Sequence, residues 1–323
     1  MLDSLGRNIN YMRVSVTDKC NLRCVYCMPE NGVEHVEHRD LLSYEEIIRL
    51  GSVFAGLGVS RMRLTGGEPL VRKNLEILVR GLKQDAGIKN VYITTNGLLL
   101  PEQLPGLVEA GLDGVNISID AADAALFKKI TRRDGFEKVI YAIGAAMSYP
   151  GLEVKLNCVP TAQNERQLVT MASRFVRNTN LTLRFIELMP VGLGKENVGK
   201  SEAEVRRLLE DAFGPMTPLD SYDSGGPCRY CSLPGFTGRI GFISPMTHKF
   251  CAECNRIRLT ANGFLKTCLQ YNKGVDLKPF LSKSDAEIEE MIANAVADKP
   301  DGHNFTNAED LLSDKRIMSQ IGG

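Results

Sequence analysis

No surplus of either charge marks this chain, because 39 basic and 39 acidic residues cancel. A general nucleic-acid footprint needs a basic excess and is not expected. A local cluster of arginines is compatible with a zero total, so an anion pocket stays open. The N-terminal stretch MLDSLGRNINYMRVSV lacks a basic region followed by an apolar run, so no signal peptide is read. No stretch is apolar for long enough to span a bilayer, and the expected address is the cytoplasm. Internal repeats and low-complexity tracts are missing too. With 43% hydrophobic and 24% charged residues, the composition speaks against disorder and against a coiled coil. The 323 residues suffice for one large α/β barrel, or a barrel with a smaller module.

What is present is a rhythm and a metal-ligand pattern. Six short β-branched runs fall at 11–16, 61–65, 91–95, 115–119, 154–159 and 182–187. Between them lie segments with helical apolar spacing, at 44–57, 75–83, 135–147 and 166–176. Strand and helix in alternation predict a parallel sheet with crossover helices. An open or incomplete barrel fits six units; a doubly wound sheet fits them nearly as well. Cys20, Gly66-Gly67-Glu68-Pro69, Asn96-Gly97, Ser118, Asp120, Asn157 and Met189 end or follow these runs. Residues at strand C-termini share one face, the mouth of a barrel. Turn formation explains each glycine or asparagine singly, but not the cysteines. The periodicity fades after about Pro190, and one further helix is expected at 202–213. The expected division is a barrel over 1–226 and a cysteine-rich C-terminal unit over 227–323.

There are nine cysteines, an odd count. In a reducing compartment, thiols at ligand spacing are metal ligands more often than disulfides. Cys20, Cys24 and Cys27 place three thiolates within eight residues. Three ligands for a four-iron cubane leave one iron open to a small molecule, whereas a structural cluster normally takes four cysteines. The alternative is zinc with His35 or His38 as fourth ligand. Cys251, Cys254 and Cys268 form a second trio, with Arg256 and Arg258 inside it. Those two arginines share one face of a strand, and a guanidinium fork suits phosphate. Spacing also admits a zinc ribbon from Cys228, Cys231, Cys251 and Cys254, with Cys268 left over. Cys158 reads as core, and His248 as a loop residue.

The Cx3Cx2C spacing with Tyr26 before its last cysteine, together with Leu64-Thr65-Gly66-Gly67-Glu68-Pro69, resembles the radical S-adenosylmethionine (SAM) superfamily. Similarity extends along almost the whole chain to the GTP 3′,8-cyclase family. It is carried by GRNINYMRVSVTDKCNLRCVYCMPE, MRLTGGEPLVRKNL, ITTNG, VNISID, LRFIELMPVG, GRIGFISPMTHKFCAECNRIRLTANGFLKTCL and the terminal IGG. The resemblance implies an incomplete (β/α)6 TIM-type barrel with a C-terminal iron–sulfur extension. It implies a lyase that uses SAM and two [4Fe-4S] clusters to convert GTP to 3′,8-cyclo-7,8-dihydro-GTP. That reaction is the first step of molybdenum cofactor biosynthesis. Cys20, Cys24 and Cys27 would hold the first cluster, and Cys251, Cys254 and Cys268 the second.

By the same carry-over Tyr26, Gly67, Glu68, Ser118 and Met189 would contact SAM. Arg13, Arg63, Thr94, Lys155, Arg184, Arg256 and Arg258 would line the GTP site. Gly322 and Gly323 would reach toward the reacting centre, along with Arg13, Arg256 and Arg258. An external electron donor and a downstream cyclic pyranopterin monophosphate synthase are the implied partners, without nucleic acid or membrane. A homodimer is compatible with the pattern. Two departures stand out: GPCRYC places Cys228 and Cys231 where the family has no thiols, and Arg61 replaces a frequent lysine.

Overall fold

The computed structural model describes residues 1–219, 226–305, 314 and 316–322. Six βα repeats open the chain. The strands are β1 (Tyr11–Ser15), β2 (Arg61–Thr65), β3 (Asn90–Thr95), β4 (Gly114–Ser118), β5 (Glu153–Cys158) and β6 (Thr182–Ile186). The helices around them are α1 (Tyr44–Gly56), α2 (Leu75–Gln84), α3 (Leu100–Glu109), α4 (Ala124–Thr131), α5 (Phe136–Met147), α6 (Leu168–Val176) and α7 (Glu202–Phe213). Helix starts are set locally. Ser43 and Glu46 form a reciprocal capping box at α1, and Ser201 and Glu204 repeat it at α7. Each box satisfies otherwise orphaned N–H groups, a gain of about 1 kcal/mol.

The later chain returns to the same sheet. Strands β7 (Thr217–Pro218), β8 (Arg229–Ser232) and β9 (Arg239–Ile243) lie beyond β6, while β10 (Arg256–Leu259), β11 (Phe264–Lys266) and β12 (Gly274–Asp276) lie beyond β1. The full order is β12-β11-β10-β1-β2-β3-β4-β5-β6-β9-β8-β7. From β10 to β9 every pairing is parallel, and the outer strands are antiparallel. The expected six-unit incomplete barrel is therefore present, with one parallel strand added at each edge from the sequence after residue 226. Two closing helices follow, α8 (Asp285–Ala297) and α9 (Met318–Ile321). Among the described residues no helix is long and apolar enough to cross a membrane.

Strand alternation gives the sheet two unlike faces. Met12, Val14, Met62, Leu64, Val91, Ile93, Val115, Ile117, Leu156, Leu183, Phe185, Ile240, Phe242, Ile257 and Leu259 are buried and form the layer beneath the helices. The intervening residues are polar: Arg13, Arg63, Thr94, Asn116, Lys155, Asn157, Arg184, Arg256 and Arg258. A packed barrel fills its interior with branched apolar side chains. This one carries cations there, so its interior is built for an anion.

Candidate functional site

The first cysteine trio lies on the loop after β1, and backbone bonds hold that loop firmly. The Arg23 and Val25 amides donate to the Thr131 and Ile130 carbonyls, each at 3.0 Å. Arg132 donates to the Arg23 and Met28 carbonyls at 3.2 and 3.3 Å. The Cys27 and Met28 amides both reach the Cys24 carbonyl, curling Cys24 and Cys27 into one turn. Tyr26 pins the loop to the end of β4, because its hydroxyl donates to Asp120 at 2.6 Å.

The turn after β2 packs against this loop. The Gly67 amide donates to the Thr17 carbonyl and the Glu68 amide to the Lys19 carbonyl, both at 2.8 Å. A Cβ on Gly66 would stand 2.4 Å from the Thr17 oxygen, and one on Gly67 2.4 Å from the Lys19 oxygen. Only glycine tolerates that approach. Glu68 is buried and takes hydrogen bonds from the Leu70 amide, the Thr95 hydroxyl and the Asn96 amide, at 3.0, 2.7 and 2.7 Å. Burial nonetheless pushes its carboxyl up to about 7.

The second trio is held by two buried cations that the sequence did not announce. Arg7 donates to the carbonyls of Cys251, Lys299, Pro300 and Asp301 and pairs with Asp3 at 2.5 Å. Lys299 donates to the carbonyls of Arg256, at 3.0 Å, and Thr267. Arg7 is 244 positions from Cys251, so no local signal could have joined them. Arg256 stacks on Phe250 with its guanidinium carbon 4.8 Å from the ring centre.

Both trios open onto one cavity of about 360 Å³, within the range of ligand sites. Cys20, Cys24, Cys27, Cys251, Cys254 and Cys268 all line it. So do Arg13, Tyr26, Gly67, Glu68, Thr94, Ser118, Met189, Arg256 and Arg258. Among the described residues the Thr94 hydroxyl has no hydrogen-bond partner. Arg63, Lys155 and Arg184 are not in that wall but hold inward strand positions, at 7%, 3% and 7% exposure. Lys155 pairs with Glu153 at 2.7 Å, Arg63 donates to the Tyr11 hydroxyl at 2.6 Å, and Arg184 donates to Asn157, itself in the wall. Burial and the neighbouring Arg63, Arg256 and Arg184 charges push Arg13 down to about 10. Arg258 is driven well below the usual arginine value by burial, Arg13 and Arg256. Crowded cations of this kind call for a multiply charged anion.

The tail enters this region. Arg258 donates to the Gly322 carbonyl at 2.5 Å, and a Cβ on Gly322 would meet the Thr65 hydroxyl at 2.9 Å and Ser15 at 3.0 Å. Gly323 lies outside the described residues. His303 lines the cavity and was missed, for a single histidine in a polar tail carries no motif.

The zinc alternatives find no support in the placement of the donors. Cys228 packs over Gly241 beside Arg184, Cys231 is buried in the core next to Arg206, and neither lines the cavity. β8 is the penultimate strand at one end of the sheet and β10 the third from the other end, and Cys228 and Cys231 do not line the cavity that Cys251 and Cys254 face. His35 bonds Asp18 at 3.3 Å, and His248 bonds Thr247 at 3.2 Å. Among the described residues no three His, Cys, Asp or Glu side chains converge on a single ion. Three thiols facing one void, each free to address a different iron, fit a cubane instead.

Residues 14–173 match the Radical SAM superfamily, and residues 181–305 match Molybdenum Cofactor Synthesis C. Structures of similar fold include SuiB of Streptococcus suis bound to S-adenosylmethionine. It has a TM-score of 0.62 at 15% identity, over 90% of this chain and 68% of that one. Native anSMEcpe with bound AdoMet has a TM-score of 0.57 at 16% identity, over 88% and 84%. Relatives named GTP 3′,8-cyclase are far more similar in sequence. Those of Pelotomaculum thermopropionicum and Syntrophomonas wolfei are 44% and 43% identical, and that of Clostridium perfringens 39%, each over 100% of both chains. By full-length likeness to these relatives and by both regional matches, the chain belongs to the GTP 3′,8-cyclase family of the radical SAM superfamily.

Proposed function

We propose that this protein is a lyase that converts GTP to 3′,8-cyclo-7,8-dihydro-GTP, the first step of molybdenum cofactor biosynthesis. One observation carries the reading: two cysteine trios, each short of a fourth thiol, face one cavity whose interior is cationic. Cys20, Cys24 and Cys27 would hold one [4Fe-4S] cluster, and Cys251, Cys254 and Cys268 another. When bound, the first cluster with SAM supplies a hydrogen-abstracting radical.

The chain's own residues then have positional tasks. The glycine turn at Gly66-Gly67 brings backbone to the cavity wall, where SAM would lie with Tyr26, Glu68, Ser118 and Met189 around it. Arg13, Arg256 and Arg258 would fix the nucleotide, backed by Arg63, Lys155 and Arg184. Holding one C–H bond toward the radical source selects C3′ among many similar bonds. New bonding between C3′ and C8 leaves a product isomeric with GTP, after one electron and one proton are returned. The electron would come from an external donor, and the product would pass to cyclic pyranopterin monophosphate synthase.

Anaerobic incubation with SAM, GTP and a strong reductant tests the reading. Mass spectrometry should show 5′-deoxyadenosine and an isomer of GTP, from protein carrying about eight irons, two cubanes' worth. Deoxyadenosine without a GTP isomer would overturn the substrate assignment.

A further inference from the structure

Four histidines occur in the chain, and only His303 faces the cavity. Its surroundings are unusual for a half-buried imidazole. Both ring nitrogens are shielded from solvent, and among the described residues neither has a hydrogen-bond partner of good geometry; the Pro245 backbone is the one acceptor near enough to act on the ring. Buried polar atoms without partners are rare, and each calls for an explanation. Looseness does not provide it, since the backbone is tied on both sides. The neighbouring Asn304 amide donates to Gln270 at 2.5 Å, the Asp301 carbonyl accepts from Arg7, and the His303 carbonyl accepts from Lys249. The ring rests against Phe305, with centroids 4.7 Å apart, and Pro245 and Phe250 complete that part of the wall.

Location narrows the ligand. Gly302 packs directly on Cys251, so close that a Cβ there would lie 3.4 Å from the Cys251 Cβ. His303 therefore belongs to the C-terminal-trio end of the cavity. Burial, with the Lys249 charge adding to it, holds the imidazole below its ordinary value; only the Pro245 backbone opposes. A neutral imidazole offers one donor and one acceptor. A phosphate has only acceptors to give in return. A purine edge presents both, and flanking aromatic rings suit a flat base.

We propose that His303 contacts the nucleobase of the bound guanine nucleotide, hydrogen-bonding its edge at the Cys251 end of the cavity. This rests on the GTP reading given above. Gln270 lines the same cavity, but its Oε1 already accepts from the Asn304 amide, so loss of the imidazole leaves base polar atoms unsatisfied.

The test uses anaerobically reconstituted holoenzyme with His303→Ala and His303→Asn. Equilibrium dialysis measures GTP and SAM separately, and competition measures inorganic tripolyphosphate. His303→Ala should weaken GTP binding about 10-fold to 100-fold, with SAM and tripolyphosphate within about twofold of the parent. His303→Asn, whose amide keeps a donor and an acceptor, should recover part of the loss. GTP affinity unchanged in His303→Ala would overturn the proposal. Equal losses for GTP and tripolyphosphate would make the imidazole a phosphate contact, and loss of iron would make it structural; either result also overturns it. Failure of the parent enzyme to bind GTP would sink the proposed function instead.

Discussion

The two cysteine trios share a cavity but not an environment. At the N-terminal trio the balance disfavours a free thiolate, although the Leu22 amide, Arg23 and Asn96 favour it at Cys20. Burial pushes Cys20 up to about 11 and Cys27 up to about 12, and Cys24 rises well above the ordinary thiol value, with the Asp120 and Glu68 carboxylates and the neighbouring thiols adding to it. At the C-terminal trio burial also raises Cys254, but the Lys299 and Arg256 charges and the Arg256 hydrogen bonds outweigh it and leave this thiol below its usual value. One end of the cavity is thus bordered by acids and the other by cations. A cluster can be built at either end, since metal binding drives thiols to thiolates. What differs is the ligand each end welcomes. The acidic end complements a sulfonium cation, and the cationic end a nucleotide polyphosphate.

The largest expected effect comes from removing one thiol at each end. Cys24→Ala should reduce 5′-deoxyadenosine formation to background and lower iron content by about half. Cys254→Ala should also lower iron by about half, but leave SAM cleavage and abolish the GTP-derived product. Iron analysis with product chromatography reads both. Loss of SAM cleavage in Cys254→Ala would show that the two ends do not work independently.

Charge changes should sharpen the contrast. Arg256→Ala and Arg258→Ala should each weaken GTP binding about 10-fold to 100-fold, as loss of a charge-assisted contact does, with SAM affinity little altered. Raised ionic strength should act the same way, since screening weakens a polyanion's attraction most. Asp120→Asn keeps the side-chain shape while removing a carboxylate beside the first trio, and should weaken SAM rather than GTP. Dialysis of both ligands against each variant gives the answer. Parallel losses for both ligands would erase the proposed sorting.

Much of this arrangement was legible in the sequence, and the omissions have physical causes. β1 to β6 were readable because apolar residues alternate with polar ones along them. Helix α3 escaped because Pro101 and Pro105 look like turn residues; Pro101 falls in the first turn, where its missing N–H costs little. Strands β9 and β10 were unreadable as sheet members, since nothing local tells which edge a late strand will join. Each trio was plain from spacing, yet their shared cavity depends on β10 returning to β1, a pairing of Tyr11 with Arg256. Cys228 and Cys231 matched a ribbon in spacing alone. Neither lines the cavity that the two trios share, and so Cys228→Ala should leave the iron count unaltered.

The tail offers a subtler perturbation of the cationic end. Lys266, with no exposed surface, pairs with Asp314, and Asp314 in turn binds Arg316 at 2.8 Å. This partly buried network anchors the segment that carries Gly322 to Arg258. Gly322 has φ of +79°, a conformation that other residues rarely adopt. Gly322→Ala and Asp314→Asn should each lower turnover about 10-fold, as displaced positioning groups do, while iron content and SAM affinity hold. Unchanged turnover in both would detach the tail from catalysis.

The smallest effect is spectroscopic and probes the cations from below. Tyr11 is buried, and burial alone would raise its phenol. The Arg63, Arg13 and Arg256 charges and the Arg63 hydrogen bond reverse this and bring it down to about 7. A depressed acid favours the folded state once it ionises. Its contribution is complete above the unfolded value near 10 and is lost as pH falls through about 7. Difference absorbance of the parent protein against Tyr11→Phe should show one tyrosinate forming near pH 7, well before the bulk tyrosines. Bound nucleotide should move that midpoint upward, because phosphate charge competes for the same guanidinium groups. A midpoint near 10, with or without nucleotide, would mean that the interior cations are already neutralised by some other group.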